Sequence, residues 1–160
     1  MINLTVLCVG KLKERWWREA CDEYIKRLSA FCRAEVVEVE EERAPENPSP
    51  AQLQQVIAAE GKRLLSKIPA DAAVIALCIE GKTLTSPELA ERLEGLAVNG
   101  VNRAVLVIGG SWGLSDEVKS RARLRLSMSP MTFPHQLARV MVLEQLYRAA
   151  QIQTGGRYHK

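Results

Sequence analysis

Apolar and polar positions along the chain switch repeatedly between two periods. Residues 2–9, INLTVLCV, are a mostly apolar run of strand length ended by Gly10. From about Lys13 to Cys32, the residues Trp16, Trp17, Ala20, Tyr24, Ile25 and Leu28 recur at helical spacing and predict one buried face. AEVVEVE (34–40) reads as a strand and EERAPENPSP (41–50) as a proline-rich surface loop. Ser49 before Pro50 is a good helix start, and that helix runs to about Lys67. AAVIALCIE (72–80) is short, apolar and suited to a strand covered on both faces. GKTLTSPELAERLEGLAVNG predicts a loop, then a helix capped by Ser86 with Pro87 in its first turn and stopped at Gly100. RAVLVIGG (103–110) is another buried strand, Ser115 caps a helix beginning DEVKSRA, and LRLSMS is a short last strand. The chain ends in a long helix over 135–153 and the tail TGGRYHK.

Strands separated by single helices imply parallel pairing. The expected fold is therefore α/β, a parallel sheet of about five strands flanked by helices, with residues 1–160 forming one domain. A chain of this length buries roughly two-thirds of the surface it would expose unfolded. The last helix carries more apolar residues than one buried stripe needs: Leu137, Val140, Met141, Leu143, Leu146, Tyr147 and Ala150. The surplus points to a homodimer with an isologous contact, or else to a core helix of a monomer.

Charge adds a second layer. The net charge is only +3, but the stretch from Glu35 to Glu46 holds six glutamates and one arginine. From Ser115 onward, eight basic residues stand against three acidic ones, so the C-terminal third is either an RNA-binding face or a solvated basic surface. The four cysteines form no CxxC pair, and with two histidines they assemble no zinc site at usual spacings. Cys8 and Cys78 read as small core residues. No apolar run reaches the ~20 residues a membrane span requires, and no signal peptide precedes the first strand, which implies a cytoplasmic protein.

VLVIGGSWGLSDEV combines a strand, a glycine-rich turn and a capped helix, the construction of a nucleotide-binding loop. Its G-G-x-x-G spacing is neither the dinucleotide fingerprint nor a P-loop. Asp116 and Glu117 at the helix start would repel phosphate. The loop suits a nucleoside without phosphates, such as S-adenosylmethionine, or is simply a tight turn that needs Gly109, Gly110 and Gly113 for their backbone angles. A second loop, SMSPMTFPH (127–135), leaves the last strand on the same side of a parallel sheet, where ligands bind in this architecture.

Taken together, VGK after the first strand, LCIEGK (77–82), IGGSWGLS (108–115), MTFPHQLARVMVLEQLYRA (131–149) and the terminal YHK resemble the small SPOUT-class methyltransferases that modify a pseudouridine of large-subunit ribosomal RNA. The likeness spans essentially the whole chain. It implies a SPOUT-type α/β fold with a C-terminal trefoil knot, a homodimer, and a cofactor pocket at the knot beside the subunit interface. It further implies S-adenosylmethionine as methyl donor and N3 of a pseudouridine, on assembled ribosomes, as acceptor. Matched by motif, the cofactor pocket comprises Leu77, Gly109, Gly110, Met128, Ser129, Pro130, Met131, Thr132 and Phe133.

Methyl transfer from a sulfonium is a direct displacement, so the protein chiefly aligns the reactants. An imide nitrogen must also lose its proton, and a base or polarising contact helps. The candidates are His135, which contacts substrate or else hydrogen-bonds the turn, and the pair Tyr158–His159 on a tail hinged at Gly155 and Gly156. That tail is expected to fold back over the pocket of one subunit. Arg139 and Arg148 on the last helix are expected at the RNA backbone, Arg148 alternatively pairing with Glu144. Lys119, Arg121, Arg123 and Arg125 are further candidates for phosphate contact. Two other readings compete: a non-enzymatic, ribosome-associated RNA-binding protein, and an unrelated nucleotide-dependent enzyme.

Overall fold

A computed structural model describes all residues, 1–160. Ten elements follow one another: β1 (Asn3–Val9), α1 (Arg15–Leu28), β2 (Ala34–Val39), α2 (Pro50–Ser66), β3 (Ala73–Thr83), α3 (Ser86–Val98), β4 (Arg103–Ile108), α4 (Asp116–Arg121), β5 (Leu124–Ser127) and α5 (His135–Gln153). The five strands form one all-parallel sheet in the order β2-β1-β4-β3-β5. Alternate residues of each strand face opposite ways, so the sheet sorts its apolar side chains into two cores. Leu4, Val6, Cys8, Ile75 and Leu106 meet α1, α3 and α5 on one face. Leu7, Val9, Val74, Val105 and Val107 meet α2 and α4 on the other. Three layers result, with every strand end on one side open to a common edge.

Sequence and structure diverge where a turn signal is overridden by packing. Gly81 looks like the start of a loop, yet β3 continues to Thr83. Leu126 of β5 pairs with Leu77 and also with Lys82. One strand residue offers two edges, so β3 runs along one edge of β5, passes over it at residues 78–81 and returns along the other. A Cβ on Gly81 would lie 2.7 Å from the Arg125 carbonyl group, which is why glycine stands at the crossing.

The α3 cap is Thr85, not Ser86: Thr85 accepts from the Glu88 N–H while the Glu88 side chain accepts from the Thr85 N–H. Ser49 caps α2 in the same reciprocal way with Gln52. In α1, Trp17, Tyr24 and Ile25 pack on the core, but Trp16 points to solvent at 63% exposure, so the expected buried face loses one member. Helix α5 packs between α1 and α3, and none of its residues is exposed. Its apolar surplus is partly absorbed within the chain, with Leu137, Val140, Met141 and Tyr147 left half-buried.

Candidate active site

The carboxyl ends of β3, β4 and β5 border a cleft of about 840 Å³, within the usual size for a small-molecule site. Eight of the nine residues expected to hold a cofactor line it: Leu77, Gly109, Gly110, Met128, Ser129, Met131, Thr132 and Phe133. Pro130 does not. It is exposed at the bend after β5, where Ser129 Oγ accepts the Met131 N–H at 3.0 Å and turns the proline outward.

The glycine turn is built by close approach. A Cβ on Gly109 would lie 2.8 Å from the Gly113 carbonyl group, and Gly113 has a φ of +86°, which favours glycine. The Gly113 N–H donates to the Gly110 carbonyl at 3.2 Å, closing a turn that lifts Ser111 and Trp112 over the cleft. Ser115 then caps α4 by accepting the Val118 N–H. Two consecutive residues of α2 brace this turn from behind. Gly61 sits so near the Ser115 side chain that a Cβ there would collide with it, and the Glu60 carboxylate lies against the Cα of Gly110. Glu60 is buried: Oε2 accepts the Glu42 N–H at 3.1 Å, while Oε1 has no partner. Burial raises its carboxyl above the ordinary range.

The lining discriminates between ligand classes. Its one cation, Lys119, is ion-paired with Glu80 at 2.5 Å, and Asp116 and Glu117 occupy the first turn of α4. Anionic phosphates find no free positive charge here, whereas the apolar walls of Leu77, Ile108 and Met128 and the hydroxyls of Ser127, Ser129 and Thr132 suit a neutral nucleoside.

His135 opens α5 and faces the cleft. Its Nδ1 is buried and lacks a hydrogen-bond partner. Burial lowers its pKa, the Arg139 guanidinium lowers it further, and Glu41 partly opposes them. The ring is therefore neutral at pH 7. Arg139, expected at the RNA backbone, is instead 1% exposed. It pairs with Glu38 at 2.6 Å and donates to the Gly10 carbonyl at 3.1 Å, tying α5 to β1 and β2. Helical geometry turns it inward, so it cannot meet solvent or phosphate.

Arg148, Tyr158 and His159 gather elsewhere, and Arg148 takes the alternative of pairing with Glu144. Gly155 (φ +69°) and Gly156 reverse the tail, which lies back along α5. The Tyr158 hydroxyl donates to Glu144 at 3.1 Å, and its ring meets Tyr147 edge-on at 4.9 Å. Arg148 pairs with Glu144, lies 4.7 Å above the Tyr158 ring and approaches His159 Nδ1 at 3.5 Å. Burial, then hydrogen bonds with Tyr24 and Glu144, raise the Tyr158 phenol to about 12, so it stays protonated. From His135 to Arg148 the helix rises about 20 Å. The tail therefore does not close over its own chain's cleft.

The basic run is also largely committed. Arg121 donates to the carbonyls of Pro69, Ala70 and Ala72, and Arg125 to that of Lys119. Glu60 carries no signal in the sequence, because its neighbours come from distant segments, and Cys78, expected in the core, lines the cleft.

Comparison with known proteins matches residues 2–159 to a family model described as predicted SPOUT methyltransferase. A protein of Clostridioides difficile (strain 630) named ribosomal RNA large subunit methyltransferase H is 48% identical over 159 residues, covering 99% of this chain and all of its own. Its namesake in Oenococcus oeni is 47% identical over 160 residues, covering both chains completely. Among solved structures, a probable methylase family protein from Haemophilus influenzae Rd KW20 superposes with a TM-score of 0.53 at 13% identity, covering 96% of this chain and 67% of that one, a likeness of fold. The strand-end cleft, its glycine turn and a family match across nearly the full length agree: the chain belongs to the SPOUT methyltransferase family.

Proposed function

We propose that this protein transfers the methyl group of S-adenosylmethionine to N3 of a pseudouridine in large-subunit ribosomal RNA, acting as a homodimer on assembled ribosomes in the cytoplasm. The observation that carries the reading is the cleft at the strand ends, without a free cation for phosphate but with an unpartnered imidazole nitrogen at its wall. Relatives near half identity along the entire chain are named for methylation of large-subunit ribosomal RNA, which supports the substrate class. A purely RNA-binding protein would have no use for such a cleft.

In this reading Leu77, the Gly109–Gly110 turn and residues 128–133 hold the nucleoside end of the cofactor. When bound, S-adenosylmethionine supplies a methyl carbon made electrophilic by its positive sulfur. His135, neutral at pH 7, accepts the imide proton or a hydrogen bond from the uracil ring as N3 becomes nucleophilic. Tyr158, protonated, serves as a donor, and Arg148 and His159 lie beside it. Because the tail lies a helix length from its own cleft, it acts on the cleft of a second copy. Half-buried Leu137, Val140 and Met141 give the two α5 helices an apolar contact. The trefoil knot belongs to the same reading, and the passage of β3 over β5 supports it.

The test supplies radiolabelled S-adenosylmethionine and ribosomes from cells lacking this protein. One methyl group per large subunit, mapped by mass spectrometry to N3 of a pseudouridine, is the expected result. Ribosomes that stay unlabelled at saturating enzyme would refute the reading.

A further inference from the structure

Most of the basic residues expected to grip RNA have partners within the chain, and Arg123 alone of the run Lys119 to Arg125 is exposed without one. Lys119 and Arg148 are ion-paired, Arg139 is buried, and Arg121 and Arg125 bond backbone carbonyls. A different basic element stands beside the cleft. Between β1 and α1, Lys11 and Lys13 are both exposed, and neither has a carboxylate partner. The Arg18 guanidinium donates to the Leu12 carbonyl at 2.9 Å and to the Lys13 carbonyl at 2.7 Å, while the Leu12 side chain is buried between the two lysines. The loop is thus riveted, and its lysines project from a fixed frame. Of the local acids, Glu19 is taken up by Arg15 at 2.5 Å and Glu14 is half-buried. Glu41, its Oε2 3.8 Å from where a Gly10 Cβ would stand, is the one exposed and unpaired carboxylate at the start of the loop.

Trp16 follows at once, with 63% of its surface open. A large indole left in solvent while its neighbour Trp17 packs on the core is an unsatisfied apolar surface next to two free cations. Position completes the argument. β1 pairs with β4 through Cys8 and Ile108, so this loop leaves the same sheet edge as the glycine turn, one strand away. That turn presents Trp112, 47% exposed, at the mouth of the cleft.

We propose that the β1–α1 loop is the element that grips the RNA substrate, with Lys11 and Lys13 on phosphates and Trp16 stacked on an unpaired base near the target nucleotide. Unpaired cations select a polyanion over a protein surface, and an exposed indole selects splayed bases over a duplex, whose bases are already stacked. Trp112 is a second stacking platform where the strand enters the cleft. The inference rests on the ribosomal RNA reading above.

Methylation of unmodified ribosomes by wild type, the double variant Lys11→Gln with Lys13→Gln, Trp16→Ala and Trp16→Phe, each across a salt series, tests it. In the double variant KM for ribosomes should rise, kcat should hold, and the logarithmic salt slope should flatten by roughly 1.4, the value for two single-strand phosphates. Trp16→Ala should raise KM roughly tenfold, and Trp16→Phe should restore most of the loss, because stacking needs a ring rather than an indole. S-adenosylhomocysteine affinity, measured by calorimetry, should be the same in all four. Wild-type KM and salt slope in the double variant would overturn the assignment. So would a Trp16→Ala protein that sediments as a different oligomer, since the indole would then be a subunit contact. If wild type methylates no ribosomes, the failure lies in the parent reading, and the assignment goes with it.

Discussion

Helix α5 carries polar side chains at both ends and treats them differently. At its N-terminal end, His135 lines the cleft and its buried Nδ1 has no partner. At its C-terminal end, Glu144, Arg148, Tyr158 and His159 interlock through an ion pair, a hydrogen bond and ring contacts. One end has an idle acceptor on a rigid frame. The other has a satisfied cluster, in which Glu144 and Arg148 of the helix hold Tyr158 and His159 of the tail beyond the glycine hinge. Unmet polar groups cost stability, so an unpartnered group on a residue that lines a cleft points to a ligand, while the tail is held against the helix because its polar groups are satisfied there.

The sharpest way to break this contrast is to ruin the frame. Gly109→Val would drive a side chain into the Gly113 carbonyl, and calorimetry should find S-adenosylhomocysteine binding lost. Removing residues 157–160 acts on the other end. Turnover should fall by roughly the 10²–10⁴-fold typical of lost proton-transfer groups, while S-adenosylhomocysteine affinity stays at the wild-type value. Comparable turnover would show the tail to be idle.

His135→Gln should lower kcat about a hundredfold. The wild-type acid limb should lie below pH 6.5, since the folded pKa is depressed and the ring stays neutral to lower pH; the variant should lack that limb. Between the ends, Arg139→Met leaves Glu38 alone at a half-open site and should cost about 2–3 kcal/mol, below the range for fully buried pairs. Thermal unfolding should report a drop of several degrees.

Glu60→Gln is the smallest change. A folded-state carboxyl pKa above the unfolded value means that stability is greatest at low pH and is lost as pH rises through the folded pKa. The amide keeps the acceptor for Glu42 without the buried charge, so Tm should rise slightly at pH 7 and the gain should vanish towards pH 4.

Much of this fold is written in local pattern. Alternating strand and helix periods predict all ten elements, and Ser49 and Ser115 mark their helix starts as capping chemistry requires. The cleft was legible for a related reason: parallel strands bring their loops to one edge, so 109–113 and 128–134 had to be neighbours. What escaped depends on distant partners. Arg139 looks like a surface arginine until Glu38, 101 residues earlier, is folded against it. Gly81 looks like a loop start because local rules cannot anticipate Arg125 beneath it. The tail's resting place is likewise set by Glu144 and Tyr147, whose attraction for Tyr158 no motif encodes.

The returning limb of β3 has a bearing on solubility. An open parallel sheet has two margins, each a row of backbone groups ready to recruit a stranger's strand. Here Lys82 and Thr83 close the flank of β5, while Glu35 and Glu38 put carboxylates on the opposite border, β2. Lengthening the 78–81 crossover until that limb let go would expose an unprotected ribbon, and the first symptom would be aggregation rather than lost activity.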